Sequence, residues 1–222
     1  MKSLLKRLTG TGAARQQPTA AVPNAADGDD EDSGFFSTMF LERGDDAPQL
    51  VAWRTRARAI GVQPFDSRQG SQMLARLWAA DRHVVALDTA ELDRMAEQFD
   101  FVTVPEGQEV IGQDEQGDYL VIVLDGTLAV DRLQPWGGRA RLAEARAGDM
   151  LGEMSLLDAG ARFSACTTLT PSVIAVLDAE RLDRLVASEP RLALALVATL
   201  ARRLSLRLRQ VSSRLSALLS GG

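Results

Sequence analysis

With 222 residues, 45% of them apolar and 25% charged, the chain has the make-up of a soluble globular protein with room for one sizeable domain plus extensions. Its longest apolar runs, ALALVA and YLVIVL, fall far short of the roughly 18 residues of a bilayer span, and a single cysteine, Cys166, excludes an internal disulfide. The formal charge of −5 divides into +6 after position 190 and −11 before it, which argues against the broad basic face of a nucleic-acid binder.

The opening MKSLLKRL is basic and partly apolar but turns polar at Thr9, Gly10 and Thr11. A signal peptide would continue into an apolar segment and a cleavage site, so a reducing cytoplasm is the expected compartment. Residues 1–33, rich in Ala, Gly, Pro and Gln and closing on the acidic DGDDED, read as a flexible arm without a core. The first eight residues are too few to hold an amphipathic turn alone.

Residues 34–84 read as an N-terminal helical extension that packs on the main body or builds a subunit contact. FFSTMFL is apolar enough to pack on something. QLVAWRTRARAI reads as a helix with Leu50, Val51, Trp53 and Ile60 as its docking face, and a second piece from Ser71 to Ala79 puts Met73, Leu74, Leu77 and Trp78 on one side. A further helix starts near Thr89, capped by Asp88 or Thr89, with Leu92, Met95 and Ala96 inward ahead of Phe99. The sole histidine, His83, has no cysteine or second histidine to join it in a metal site. No Ser-His-Asp or Cys-His signature is present either, so the chain reads as non-enzymatic, with no catalytic residue and no metal.

From Phe101 to Leu177 the texture changes to short strands divided by glycine turns. These are Phe101 to Val104, Val110 and Ile111, Tyr119 to Leu124, TLAV after a turn at Asp125 and Gly126, RLAEAR after PWGG, then ACTTL and SVIAVL. About eight short strands with tight corners read as a small antiparallel barrel or jelly roll spanning residues 85–189, with flanking helices. Asp178 then caps a short helix, and residues 190–222 form one long helix opened by Pro190. Its Val197, Leu200, Leu204, Leu208, Val211, Leu215 and Leu218 step by 3 and 4, close to a coiled-coil seam. A barrel of this size cannot cover so long a stripe, so homodimerisation along this helix is expected. The arginines of the tail read as a solvated face.

One stretch stands apart: GDMLGEMSLLDAGARFSAC, residues 148–166. Gly152 permits an unusual turn, and Glu153 to Leu157 can form a short helical turn whose first amides, including those of Glu153 and Met154, are free to meet an anion. Arg162 follows with a guanidinium shaped for phosphate oxygens. Glu153 would repel an inorganic anion unless it accepts hydrogen bonds from hydroxyls of the same ligand. A phosphate at one point and a sugar hydroxyl at another describe a nucleotide.

These residues, with GQEVIGQDEQGDYLVIVLDGTLAV at 107–130, resemble the phosphate-binding cassette and preceding strands of the cyclic nucleotide-binding domain family, found in bacterial catabolite regulators, protein kinase A regulatory subunits and cyclic-nucleotide-gated channels. The resemblance covers about residues 85–205. It implies a double-stranded β-helix barrel, Glu153 on the ribose 2'-hydroxyl and Arg162 on the cyclic phosphate. Gly152 and the amides of Glu153 and Met154 would line the cassette, and Gly126 and Gly148 would be turn glycines. The long helix would transmit the signal near Ala198 to Leu206. The family usually has Ser or Thr after the arginine; here Phe163 stands there, with Ser164 next as the nearest hydroxyl. The resemblance thus implies a catabolite-regulator-like sensor with cAMP or cGMP as regulatory ligand rather than cofactor, and a possible protein effector. No winged-helix segment follows the long helix in this sequence, so DNA is not an expected partner. The alternative is a ligand-free interaction scaffold that keeps the barrel with a degenerate pocket.

Overall fold

The computed structural model describes residues 34–41, 48–82 and 84–220. The expectations for the arm at residues 1–33 and for His83 lie outside the described residues.

Among the described residues four helices precede the barrel: α1 (Phe35–Leu41), α2 (Trp53–Ala59), α3 (Ser67–Ala80) and α4 (Thr89–Ala96), with a two-residue strand β1 (Gln63–Pro64) between α2 and α3. Asp88 and Glu91 form a reciprocal capping box at α4, each side chain accepting from the other residue's amide at 2.8 and 2.9 Å. Leu92, Met95 and Ala96 are buried as the stripe requires, as is Phe99 just after the helix. Helix α3 begins four residues earlier than its apolar pattern suggests, because Asp66 accepts from the Gln69 amide at 2.8 Å and starts it. Its Gly70 lies against Phe101 so closely that an added Cβ would sit 2.4 Å from the ring.

The barrel follows as β2 (Asp100–Val104), β3 (Glu109–Ile111), β4 (Tyr119–Asp125), β5 (Leu128–Leu133), β6 (Arg139–Ala145), β7 (Met150–Leu151), the short helix α5 (Glu153–Asp158), β8 (Ala165–Thr168) and β9 (Ser172–Asp178). All strand pairings are antiparallel, in two sheets ordered β1-β2-β9-β4-β7 and β3-β8-β5-β6. This is a jelly-roll barrel with flanking helices. The central pair β4 and β9 runs in register from Tyr119 opposite Asp178 to Ile122 opposite Ala175.

Alternation along β4 divides the interior in two. Tyr119, Val121 and Val123 join Ile174, Val176, Leu128 and Cys166 between the sheets, together with Trp53 and Ile60 from the segment around α2. Leu120, Ile122 and Leu124 face the other way, into a second core built with Phe36, Leu74, Trp78, Met95, Leu182 and Leu196 of the helices. A strand buried on both faces reads as an unbroken apolar run, which is why YLVIVL is so conspicuous. Strand β1 escaped notice because it is two exposed residues on an edge, one of them proline.

Helix α6 (Ala179–Ser188) is capped by Asp178, which accepts from the Arg181 amide at 2.8 Å. Helix α7 (Pro190–Ser220) follows directly. Its buried residues end at Leu200, so its second half stands clear of the chain's own core. Among the described residues no helix is long and apolar enough to cross a membrane.

Candidate ligand-binding cassette

The cassette opens on β7, which pairs with β4 so that Leu151 lies opposite Val121. Gly152 then turns the chain with a left-handed φ of 79° and starts α5. A side chain at this position would be strained by that conformation, and its Cβ would lie 2.5 Å from Nη1 of Arg162. Gly117, just before β4, meets the same guanidinium from the other side, where a Cβ would lie 2.6 Å from Nη2. Two glycines thus make the seat in which the arginine lies.

Arg162 is 2% exposed. Its Nη1 donates to the Gly152 carbonyl at 2.7 Å and its Nη2 to the Tyr119 carbonyl at 2.6 Å, while Nε is buried without a hydrogen-bond partner. The guanidinium carbon lies 4.7 Å from the centre of the Tyr119 ring. Both hydrogen-bond acceptors are neutral, and burial pushes the Arg162 pKa down from its usual range. Burial also raises the Tyr119 hydroxyl to about 12, with Arg162 and Arg56 pulling the other way. That hydroxyl donates to the Val110 carbonyl at 2.6 Å.

The main chain of Arg162 is clamped by the loop before β4. Its amide donates to the Glu115 carbonyl, and its carbonyl accepts from the Asp114 amide, both at 2.8 Å. Gln116 in the same loop donates through Nε2 to the Ala159 carbonyl at 3.2 Å. The N-terminal extension grips this loop in turn. Val51 donates its amide to the Gln116 carbonyl at 2.8 Å, Trp53 packs on Tyr119 with ring centres 5.3 Å apart, and Arg56 forms an ion pair with Glu115.

Glu153 is also buried, and its Oε1 accepts from Nη1 of Arg207 on α7 at 2.6 Å. Met154 follows on the exposed side of α5. Phe163 does not enter the cassette: the residue is 55% exposed and its ring stacks under the Arg132 guanidinium at 4.2 Å, while its carbonyl accepts from Arg132. Ser164 is half-buried on the bend that enters β8. Gly152, Glu153 and Arg162 therefore meet around one turn. Met154 and Ser164 sit at its margins.

Sequence reasoning missed Gly117, Tyr119 and Arg207. The first two lie in a run that reads simply as turn and strand. Arg207 belongs to a tail that reads as a solvated face, yet Arg203 and Arg207, four residues apart, both turn back onto the body. An open groove of about 330 Å³ elsewhere is lined by Gln63, Thr103, Val104, Asp125 and Ser172 among others, and by no cassette residue. No group of three or more His, Cys, Asp or Glu side chains that could hold a metal occurs among the described residues.

Comparison with known proteins places this geometry. Residues 101–189 match the family model described as cyclic nucleotide-binding domain. A CRP-like cAMP-activated global transcriptional regulator of Mycobacterium tuberculosis is 31% identical over 118 residues, covering 53% of each chain. A cyclic AMP receptor protein of Thermus thermophilus is 32% identical over 114 residues, 51% of this chain and 53% of its own. The chain spans about half the length of the curated relatives it matches. Among solved structures, the Thermus thermophilus catabolite activator protein superposes with a TM-score of 0.55 at 28% identity, over 60% of this chain and 61% of its own. A cyclic nucleotide-binding domain from Methylobacillus flagellatus reaches 0.65 at 22% identity, over 70% and 88%, a likeness of fold.

Proposed function

The barrel of this chain belongs to the cyclic nucleotide-binding domain family, and on that premise we propose that the protein is a non-enzymatic sensor for a cyclic nucleotide. Arg162 takes the cyclic phosphate, Glu153 takes the ribose 2'-hydroxyl, and the amides of Glu153 and Met154 with Gly152 complete the cassette, Ser164 lying at its edge. The signal leaves through α7, along which two copies of the chain pair, and passes to a protein effector.

The observation that carries this reading is the state of Arg162. A guanidinium withdrawn from water costs several kcal/mol unless a charge answers it. Here its side-chain acceptors are two neutral carbonyls, and Nε has no partner. The Glu115 and Asp118 carboxylates act on the guanidinium through space without a hydrogen bond to it, and a cyclic phosphate supplies a directly bonded charge and the missing acceptor together. The relatives support the ligand class, since both are named for cAMP.

A second reading has an observation of its own. Glu153 already holds Arg207, and Arg162 already holds two carbonyls. A cassette so engaged by its own chain suits an interaction scaffold that binds no nucleotide. Isothermal titration calorimetry with cAMP and cGMP separates the two. The sensor gives one nucleotide per chain at micromolar Kd or tighter. Arg162→Ala and Glu153→Gln each weaken it by about ten- to a hundredfold, the loss of a hydrogen bond to a charged group. Glu153→Gln keeps the side chain's shape and reports on the site even if the core variant at Arg162 folds poorly. No heat, with a melting temperature unchanged by either nucleotide, overturns the sensor and leaves the scaffold.

A further inference from the structure

Beyond Leu200 no described residue of α7 is buried, yet this stretch of helix is tied to the cassette at two places. Arg203 donates through Nη1 to the Gly148 carbonyl at 2.9 Å and pairs with Asp81 through Nη2. One turn later, Arg207 donates through Nη1 to Glu153 at 2.6 Å, with Nη2 3.5 Å from the Met150 carbonyl. The Glu153 side chain is 5% exposed and that of Arg207 51%. The Glu153 side chain is therefore almost wholly covered, while that of Arg207 is half in touch with solvent.

We infer that Arg207 is a further residue of the ligand site, one that competes with a ligand hydroxyl for the Glu153 carboxylate and so ties the position of α7 to occupancy of the cassette. The inference rests on the sensor reading above and adds to it what the resting site holds. A hydroxyl donor that takes the Oε1 acceptor must displace the Arg207 guanidinium from it. Once Arg207 lets go, the helix around it keeps Arg203 but has no buried side chain beyond Leu200 to hold it in place. Ligand affinity then carries the cost of opening the pair, and a ligand favours the released helix by its differential affinity for the two states.

The test uses the full chain. Calorimetry with cAMP compares the parent, Arg207→Gln, Arg207→Lys and, as control, Arg209→Gln on the exposed side of the same helix. Gln keeps helix propensity but removes the charge. Arg207→Gln is expected to tighten binding about fivefold, the scale of a half-exposed ion pair. Arg207→Lys should stay near the parent because the charge remains, and Arg209→Gln should match the parent. In parallel, amide exchange over residues 201–210 is measured without nucleotide in the parent and in Glu153→Gln. Faster exchange in the variant is expected. Unchanged or weaker cAMP affinity in Arg207→Gln overturns the competition, and unchanged exchange in Glu153→Gln overturns the tie to α7. Absence of heat in all four proteins overturns the sensor reading itself and the competition with it, while the exchange result still judges the tie.

Discussion

Asp118, the residue before β4, and Arg162, whose Nη2 donates to the Tyr119 carbonyl at the start of that strand, each carry charge where water is scarce. The Asp118 carboxylate has an Oδ1 without a hydrogen-bond partner, and burial, then the nearby Asp178, raises its pKa above the ordinary 3.8. A carboxyl whose folded pKa is raised favours the fold fully below its unfolded pKa, and this contribution is lost as pH rises through the folded value. At neutral pH the charged form therefore works against the fold. Asp118→Asn keeps the shape and removes the charge. It should melt higher than the parent at about pH 7, with the difference closing only as pH falls below the ordinary 3.8 to about pH 3, where the carboxyl is neutral in both the folded and the unfolded chain. Thermal melts at the two pH values check this; a difference that persists at the lower one would assign it to something other than ionisation. At this scale the sequence was informative about identity and silent about partners. Gly152, Glu153 and Arg162 are legible because one short stretch of chain, from the cap of α5 to the residues before β8, carries them all. That Arg162 lies between Gly117 and Gly152, with Tyr119 beneath it, depends on a loop more than thirty residues earlier in the chain.

Among the elements, α1 depends on its surroundings for its start. Seven residues cannot hold a helix alone. Its first turn is fastened to α6 by Asp183, whose two carboxylate oxygens accept from the amides of Phe36 at 2.8 Å and Ser37 at 2.7 Å. This is an N-cap supplied from 146 and 147 residues away. Asp183→Ala should cost about 1–2 kcal/mol of local stability, as cap removal does, and speed amide exchange at residues 36–40 by roughly tenfold, with little effect on β4 and β9. Equal acceleration throughout the barrel would show that α1 is part of the global folding unit instead. The strands other than β1 and β7 were legible as short apolar runs between glycine turns, and α4, α6 and α7 from caps and periodicity. The start of α3 was not, because a polar first turn with a glycine in it gives no helical stripe. Only the Asp66 cap and the fit of Gly70 against Phe101 make it helix.

For the whole molecule, the second half of α7 poses the question of what covers it. Leu208, Val211, Leu215 and Leu218 are each more than half exposed, in the spacing of a coiled-coil seam. Under the proposed pairing, light scattering should give twice the chain mass of 24.0 kDa. Val211→Glu combined with Leu215→Glu should return it to the single-chain mass without lowering the melting temperature of the barrel by more than about 4 °C, since neither residue touches the core. A parent protein of single-chain mass would remove the dimer from the proposal. Paired as proposed, the same helix would join two functions, its apolar seam facing a second copy and its Arg207 facing the cassette.

By itself the sequence determined the barrel and its flanking helices, and singled out Gly152, Glu153 and Arg162 as residues to look for around one turn. Strand alternation, helix caps and a nineteen-residue motif are local patterns, written within the stretch of chain that they shape. The tertiary structure alone decided what those residues hold. The pairing of Glu153 with Arg207 spans 54 residues, the pairing of Arg56 with Glu115 spans 59, and the turn of Phe163 toward Arg132 spans 31. Such contacts follow from how sheets and helices stack, because a charge is answered by whichever partner packing brings within reach, and one-dimensional spacing carries no record of that.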